Sequence, residues 1–443
     1  MTIVSGLIKQ YDLRQRRREI PPVLITGRES GAFIEGERDA SIELQVKRIL
    51  KTVAAKGDPA VAAFTKKFDK VSLNPRQFEI KEKEISGALG KIGDDVRRAL
   101  EKALENIAEF HKRGMPRSWE YESADGVVLG ERITPIERVG VYVPGGKAFY
   151  PSSLLMTVVP AKIAGCTEIV VVSPPSYKGS IHPAVLAAAS LAGATRVFRI
   201  GGAQAIAALA YGTRTVPAVD KIVGPGNVYV TVAKRLVSHT VQIDKEAGPS
   251  EIVIIADDTA NPRWVAADMV SQAEHGEDSV AILLTDSEQV ARDVESEIER
   301  QVGRSPRREL VAEALQKYGA IVLVSDLDQA VELSNMRAPE HLSIMTASPK
   351  RLLKLIKNAG AIFVGPYSPV AVGDYIAGPS HVLPTGGTAR FASALTVNDF
   401  LKRSTEIRYT REKLLKEAQH IVKLAETEGL AGHAESIKLR LKQ

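Results

Sequence analysis

Cysteine is almost missing from this chain of 443 residues, which has only Cys166. That excludes an intramolecular disulfide and any thiolate-rich zinc or iron–sulfur site. Cys166 follows PAKIAG and precedes a strand-like run, so it reads as a small buried residue. Aromatic residues make up 5% of the chain, too few for a base-stacking platform. Charge of one sign is also scarce, with a net of +6. The one dense basic run near the front, RQRRRE (residues 14–19), reads as a solvated face or a subunit contact, not a nucleic-acid site. Long apolar runs are absent as well. The longest, Ser153 to Gly165, holds a proline and a lysine and falls short of the roughly 18 residues a membrane span needs. The opening MTIVSGLIKQYDLRQRRRE has no apolar core followed by a small-residue cleavage site. The expectation is a cytoplasmic chain without nucleic-acid or membrane partners.

What the chain does have is ordinary globular texture, 44% hydrophobic and 25% charged, over a length that predicts more than one domain. Residues 1–35 are polar and mixed and read as an extended arm. Residues 42–68 have helical periodicity broken at Gly57-Asp58-Pro59, and a long helix is expected from about Glu84 to Arg113, with few strand signals in this front third. From Arg138 short apolar runs alternate with helical ones: VGVYV, EIVVV, RVFRI, KIVG and VQID, separated by helix-like segments. The weakest helix there is the β-branched VYVTVAKRLV. A second series follows: EIVIIA, VAILLTD, AIVLVSD, HLSIMT and AIFVG, again with helices between. Such repeats predict parallel sheets covered by helices. The expected class is α/β, with two Rossmann-like parallel-sheet domains and helical N- and C-terminal extensions. From Asp399 onward the chain reads as helical and charged.

Three glycine-rich turns follow strands of the first series: Pro144-Gly145-Gly146, Gly201-Gly202-Ala203-Gln204 and Gly224-Pro225-Gly226-Asn227. None matches G-x-G-x-x-G, but at strand ends such turns let backbone N–H groups approach a phosphate. Four further segments carry groups fit for chemistry. In SQAEHG, Gln272 and His275 are three apart near a helix end, so they share a face. Ala338-Pro339-Glu340-His341 pairs a carboxylate with the usual neutral-pH base. Side chains of adjacent residues point apart on extended backbone, so these two converge only in a turn. The loop GDYIAGPSHVLPT holds Asp374 and His381, and EGLAGHA holds Glu428 and His433. Alone, Ala338–His341 reads equally well as a surface turn, while the loop reads better as a connection and the tail better as a solvated helix. Gln272, His275, Asp374 and His433 together are N and O donors that can suit Zn²⁺, which rarely takes Gln. They lie too far apart in sequence for spacing to establish a site.

In order along the chain, VGVYVPGGKAFYPSSLLM, PAKIAGC, GGAQAIAALAYGT, VDKIVGPGNVYV, AGPSEIVIIAD, SQAEH, APEHLSI, GDYIAGPSHVLPT and EGLAGHA resemble the histidinol dehydrogenase family over nearly the whole length. The resemblance implies a homodimer using Zn²⁺ and NAD, in which the C-terminal tail completes the partner's site. It implies Gln272, His275, Asp374 and His433 as metal ligands, and Glu340 and His341 as the acid/base pair. It implies substrate contacts at Ser250, Tyr375, His381 and Glu428 in addition to those residues. Cofactor contacts are implied at Tyr142, Gln204 and Asn227. The implied reaction takes L-histidinol to L-histidine through L-histidinal with two hydride transfers. The implied division is an arm (1–35), a larger α/β domain (36–137 with 250–395) carrying the catalytic and metal residues, a NAD-binding domain (138–249) and a tail (396–443). Gly276 and Val370 depart from the family's usual Asp and Glu beside these ligands. They leave open a related zinc and NAD dehydrogenase acting on another small primary alcohol, such as a sulfonated diol.

Overall fold

Each of the two strand series folds into its own parallel sheet, and the two sheets share one strand order. A computed structural model describes residues 3–15, 20–24, 37–146, 148–246 and 248–442. The five-stranded sheet runs Arg196–Phe198, Glu168–Val172, Arg138–Tyr142, Lys221–Val223, Gln242–Ile243, all parallel. Counted along the chain that is third, second, first, fourth, fifth, the doubly wound order in which ligands bind where the order reverses. The seven-stranded sheet repeats it with Gly319–Leu323, Val280–Thr285, Glu251–Ala256, His341–Met345 and Ala361–Val364. Its inner strands are buried along their length, as the near-continuous Val, Ile and Leu runs require of a sheet covered on both faces.

Several expectations are corrected. Within the expected arm, Ile3–Ser5 and Ile8–Asp12 form a hairpin whose second strand pairs with Gly319–Leu323, extending the seven-stranded sheet. Arg14, the first of the basic run, pairs with Asp12 and Glu288. Residues 16–19 and 25–36 lie outside the described residues. The single helix expected from Glu84 to Arg113 is instead Glu82–Ser86, a 3-10 turn Gly87–Lys91, and the helix Asp94–Arg113. Gly87, Gly90 and Gly93 weaken helix continuity across that stretch. The front third also holds strands Trp119–Glu122 and Val128–Pro135. The segment read as helical from Asp399 begins with a strand, Leu401–Arg408, paired antiparallel with Val128–Pro135. Helices Arg411–Thr427 and Ala431–Leu441 follow.

Residues 36–137 were grouped in expectation with 250–395, but their apolar faces are buried elsewhere. Ile42, Val46, Leu50 and Val61 pack with Val170, Phe198 and Ile206 on one face of the five-stranded sheet. Leu100, Ala103 and Ile107 pack with Leu155, Val158 and Val171 on the other. Among the described residues of the front of the chain, the hydrophobic cores of the seven-stranded sheet bury Ile8, Leu13 and Leu24, with Leu7, Tyr11 and Val23 packed against them. The β-branched VYVTVAKRLV is the helix Val228–Val237, capped by the Asn227 side chain accepting from Val230 N–H (3.2 Å). Burial of Val230, Val232 and Val237 outweighs its weak helix propensity.

Candidate active site

A cleft of about 410 Å³ opens where the two sheets meet. One wall is the carboxyl edge of the five-stranded sheet, with Pro144, Gly224, Pro225, Gly226 and Asn227. Helices Pro151–Ala164 and Val228–Val237 start there, at Ser152 and Ser153 and at Asn227, so their N-terminal dipole ends favour an anion. The other wall comes from the amino edge of the seven-stranded sheet. Ser250, Glu340 and His341 stand at strand starts, while His275 and Tyr375 stand at the C-terminal ends of helices Pro262–Ala273 and Val370–Tyr375. Helix C-termini carry partial negative charge and favour a cation. The two walls thus have opposite electrostatic character.

The glycine turn at Gly224 is built for close approach. Its φ is +110°, and a Cβ there would stand 2.1 Å from the Tyr142 carbonyl oxygen. Asp244 fixes it, accepting from Gly224 N–H (2.8 Å) and Lys245 N–H (2.7 Å) and pairing with the Lys234 ammonium. Lys234 also donates to the Gly224 carbonyl (2.9 Å). Asn227 lines the cleft, whereas Tyr142 and Gln204 lie buried behind it. The Tyr142 hydroxyl accepts from Gly202 N–H (3.2 Å), and burial pushes the phenol up to about 12. Neither side-chain polar atom of Gln204 has a partner among the described residues.

His341 and Glu340 do converge on the cleft. The chain reaches them through Ala338, which sits in the left-handed region at φ 51° and ψ 61° as the cap of helix Leu327–Arg337. His341 directs Nδ1 to the Glu251 carbonyl at 3.1 Å, and Nε2 is buried without a partner among the described residues. An acceptor on Nδ1 holds the proton there and leaves Nε2 as a lone-pair base. Burial, reinforced by His275 and His381, lowers the imidazole to about 3, so it is neutral at pH 7. The Glu340 carboxyl accepts from Glu251 N–H (2.9 Å). Burial first, then the charges of Glu251 and Asp374, raise it well above the usual carboxylate range. A carboxylate so raised is a stronger base when ionised. His381 directs Nδ1 to the Asp374 carbonyl (3.0 Å) and Nε2 to the Ser153 hydroxyl (3.0 Å), and burial lowers it to about 4.

Gln272, one turn before His275, is buried with both amide atoms unpartnered among the described residues. His275 is lowered and Asp374 raised to about 6, in each case by burial. An unsatisfied buried acceptor is costly, and a cation would supply the Gln272 amide oxygen with a partner. Imidazole, carboxylate and amide oxygen are an N/O set compatible with Zn²⁺. Among the described residues no three His, Cys, Asp or Glu converge as a metal cluster within the chain. Glu428 and His433 are exposed on the tail and do not line the cleft. Cys166 is buried, and burial pushes its thiol up to about 11, as suits a packing residue.

Reasoning on sequence alone missed Glu251, Arg337, Lys234, Asp244, Lys245 and Ser153. Only their pairing across the fold marks them. The sole local hint was a Lys within the third glycine turn's helix and an Asp after it.

The family model for histidinol dehydrogenase matches residues 35–441. The chain is 50% identical over 405 residues to a histidinol dehydrogenase from Heliobacterium mobile, covering 91% of this chain and 95% of that one. It is also 50% identical over 410 residues to one from Aquifex aeolicus (93% and 94% covered). The crystal structure of histidinol dehydrogenase from Elizabethkingia anophelis superimposes with a TM-score of 0.91 at 34% identity, covering 99% of each chain. The chain belongs to the histidinol dehydrogenase family and is an oxidoreductase of that kind.

Proposed function

We propose that the chain oxidises L-histidinol to L-histidine through L-histidinal, with two NAD⁺ per substrate and one Zn²⁺ per site. The observation that carries this is His341: a buried neutral imidazole with Nδ1 engaged and Nε2 free, beside Glu340 in one cleft. When bound, NAD⁺ supplies the hydride acceptor and Zn²⁺ a Lewis-acid anchor for the amine and imidazole nitrogens of the substrate.

His341 Nε2 takes the proton of the alcohol as a hydride leaves the carbinol carbon. Glu340 then takes a proton from the water that adds to the aldehyde, and the hydrate loses the second hydride. The balance is one alcohol, one water and two NAD⁺ giving one carboxylate, two NADH and three protons. Gln272, His275, Asp374 and His433 would hold the metal, and Ser250, Tyr375, His381 and Glu428 the rest of the substrate. Tyr142, Gln204 and Asn227 would hold the cofactor on residues 138–249. Because Glu428 and His433 stand exposed and away from their own cleft, the reading includes a homodimer whose tail (396–443) enters the partner's site. The reaction needs no membrane, and no described helix is long and apolar enough to cross one. We place it in the cytoplasm.

The test is NADH formed per histidinol consumed, before and after chelation. Two NADH per substrate, lost on chelation and restored by zinc, is the expected result. A folded, zinc-loaded protein that ignores histidinol would sink the substrate assignment and turn attention to other small primary alcohols.

A further inference from the structure

Glu251 opens its strand with three of its atoms committed to residues 340, 341 and 386. Its N–H donates to Glu340 Oε2 (2.9 Å), and its Oε1 accepts from the N–H groups of Glu340 (3.3 Å) and Gly386 (3.0 Å). Its carbonyl takes Nδ1 of His341 (3.1 Å). Arg337 closes the arrangement, binding Glu251 Oε2 through Nε (2.9 Å) and Nη2 and the Val23 carbonyl through Nη1 (2.9 Å). Both side chains are buried.

Burying a guanidinium and a carboxylate does little for stability that packed apolar residues would not do as well. Their use must lie in what they orient. Every contact of the Glu251 carboxyl is as an acceptor, from two guanidinium N–H groups on one oxygen and two backbone N–H groups on the other. The strained Ala338 lies between Arg337 and Glu340, a conformation that persists only where neighbours over-determine it. Gly360 adds a close fit from the next strand, since a Cβ there would stand 2.6 Å from the Glu340 carbonyl oxygen.

We infer that Glu251 and Arg337 are positioning residues: together they set the tautomer of His341 and the direction of the Glu340 carboxyl. This rests on the roles of Glu340 and His341 proposed above. Loss of the Arg337 clamp frees the Glu251 side chain, releases the 340 and 386 backbone, and lets His341 slip from the Glu251 carbonyl.

The experiment compares full-length, zinc-loaded wild type with Arg337→Met, Arg337→Lys and Glu251→Gln. It reads kcat and KM for histidinol, histidinal and NAD⁺, together with the ¹⁵N spectrum of labelled histidine, in which His341→Asn identifies the His341 signal. We expect Arg337→Met to lose the single Nδ1–H form of His341 and about a hundredfold in kcat, with KM changed by no more than about twofold. Arg337→Lys, which keeps the charge without the fork, falls between. A folded Arg337→Met with unchanged tautomer and unchanged kcat per folded site overturns the inference, even if it melts earlier. Should Arg337→Met not fold, Glu251→Gln decides by the same two readouts. Should the wild type not oxidise histidinol, the proposed function fails, and the tautomer signal alone decides the positioning.

Discussion

The Lys234 ammonium and the Asp244 carboxylate form an ion pair with side-chain exposures of 3% and 0%, directly beneath the glycine turn at Gly224. Breaking such a pair from one side leaves a bare buried charge, at about 3–5 kcal/mol. Lys234→Met is therefore expected to lower the denaturation midpoint sharply. The double change Lys234→Met with Asp244→Leu should regain much of that stability, because no bare charge is left buried. It should not regain the turn, because Gly224 N–H has lost its acceptor. The KM for NAD⁺ is expected to stay raised by about tenfold in the double variant. A double variant with normal cofactor KM would show that the pair serves stability alone.

His341 and Glu340 occupy one cleft with different hydrogen bonding, so their loss should fall on different half-reactions. His341→Asn is expected to slow histidinol oxidation by about 10²–10⁴-fold while zinc content is kept. Glu340→Gln is expected to slow histidinal oxidation more than histidinol oxidation. Stopped-flow NADH formation from each substrate separates the two. Equal and mild effects on both halves would undo the assignment of roles.

The exposed positions of Glu428 and His433 make a prediction about subunits. His433→Ala and His341→Asn should each be inactive alone. If the tail serves the partner, unfolding and refolding an equal mixture yields hybrid dimers with one intact site, and about a quarter of wild-type activity returns. No recovery in a mixture shown to contain hybrids would put His433 in its own chain's site.

His111 is buried, its Nε2 lacks a partner among the described residues, and burial lowers the ring to about 4 against the partial opposition of Asp399. A lowered folded pKa means the unfolded chain binds the proton first. The stability from this group is complete above the ordinary histidine value of 6.5 and is lost as pH falls from there through 4. His111→Leu should therefore flatten the acid side of the stability curve. The difference between variant and wild type is expected to change by about 1 kcal/mol between pH 7 and pH 5, after allowing for partial solvent screening. Parallel curves in urea denaturation across that range would contradict it.

Much of the architecture was legible without coordinates. The two strand series, the glycine turns and most helices of residues 138–364 stand where hydrophobic periodicity put them. Those signals are local: a buried strand needs a continuous apolar run, and a turn near a phosphate needs glycine. The strand Leu401–Arg408 was not legible, because all but its first residue is exposed and its charged pattern carries no burial signal. Nor was the packing of residues 42–113 onto the first sheet, since an amphipathic helix shows that it has an apolar face but not which sheet receives it. The convergence of Glu340 and His341 depended on the left-handed Ala338, a position where glycine would have been the expected signal.

By itself, the sequence determined the chemistry on offer and its rough address: imidazoles, carboxylates and glycine turns on two series of buried strands, with a single thiol, Cys166, outside those segments. Only the tertiary structure decided which edges face each other. It set the carboxyl edge of one sheet, rich in helix N-termini, against the amino edge of the other, rich in helix C-termini. It also brought Arg337 to Glu251, 86 residues away, and Lys234 to Asp244, fixing the atoms around the base and the turn. Side-chain charge and periodicity are properties of a stretch of chain. Desolvation, tautomer and hydrogen-bond partner are properties of what lies across the gap, and residues far apart in sequence supply them.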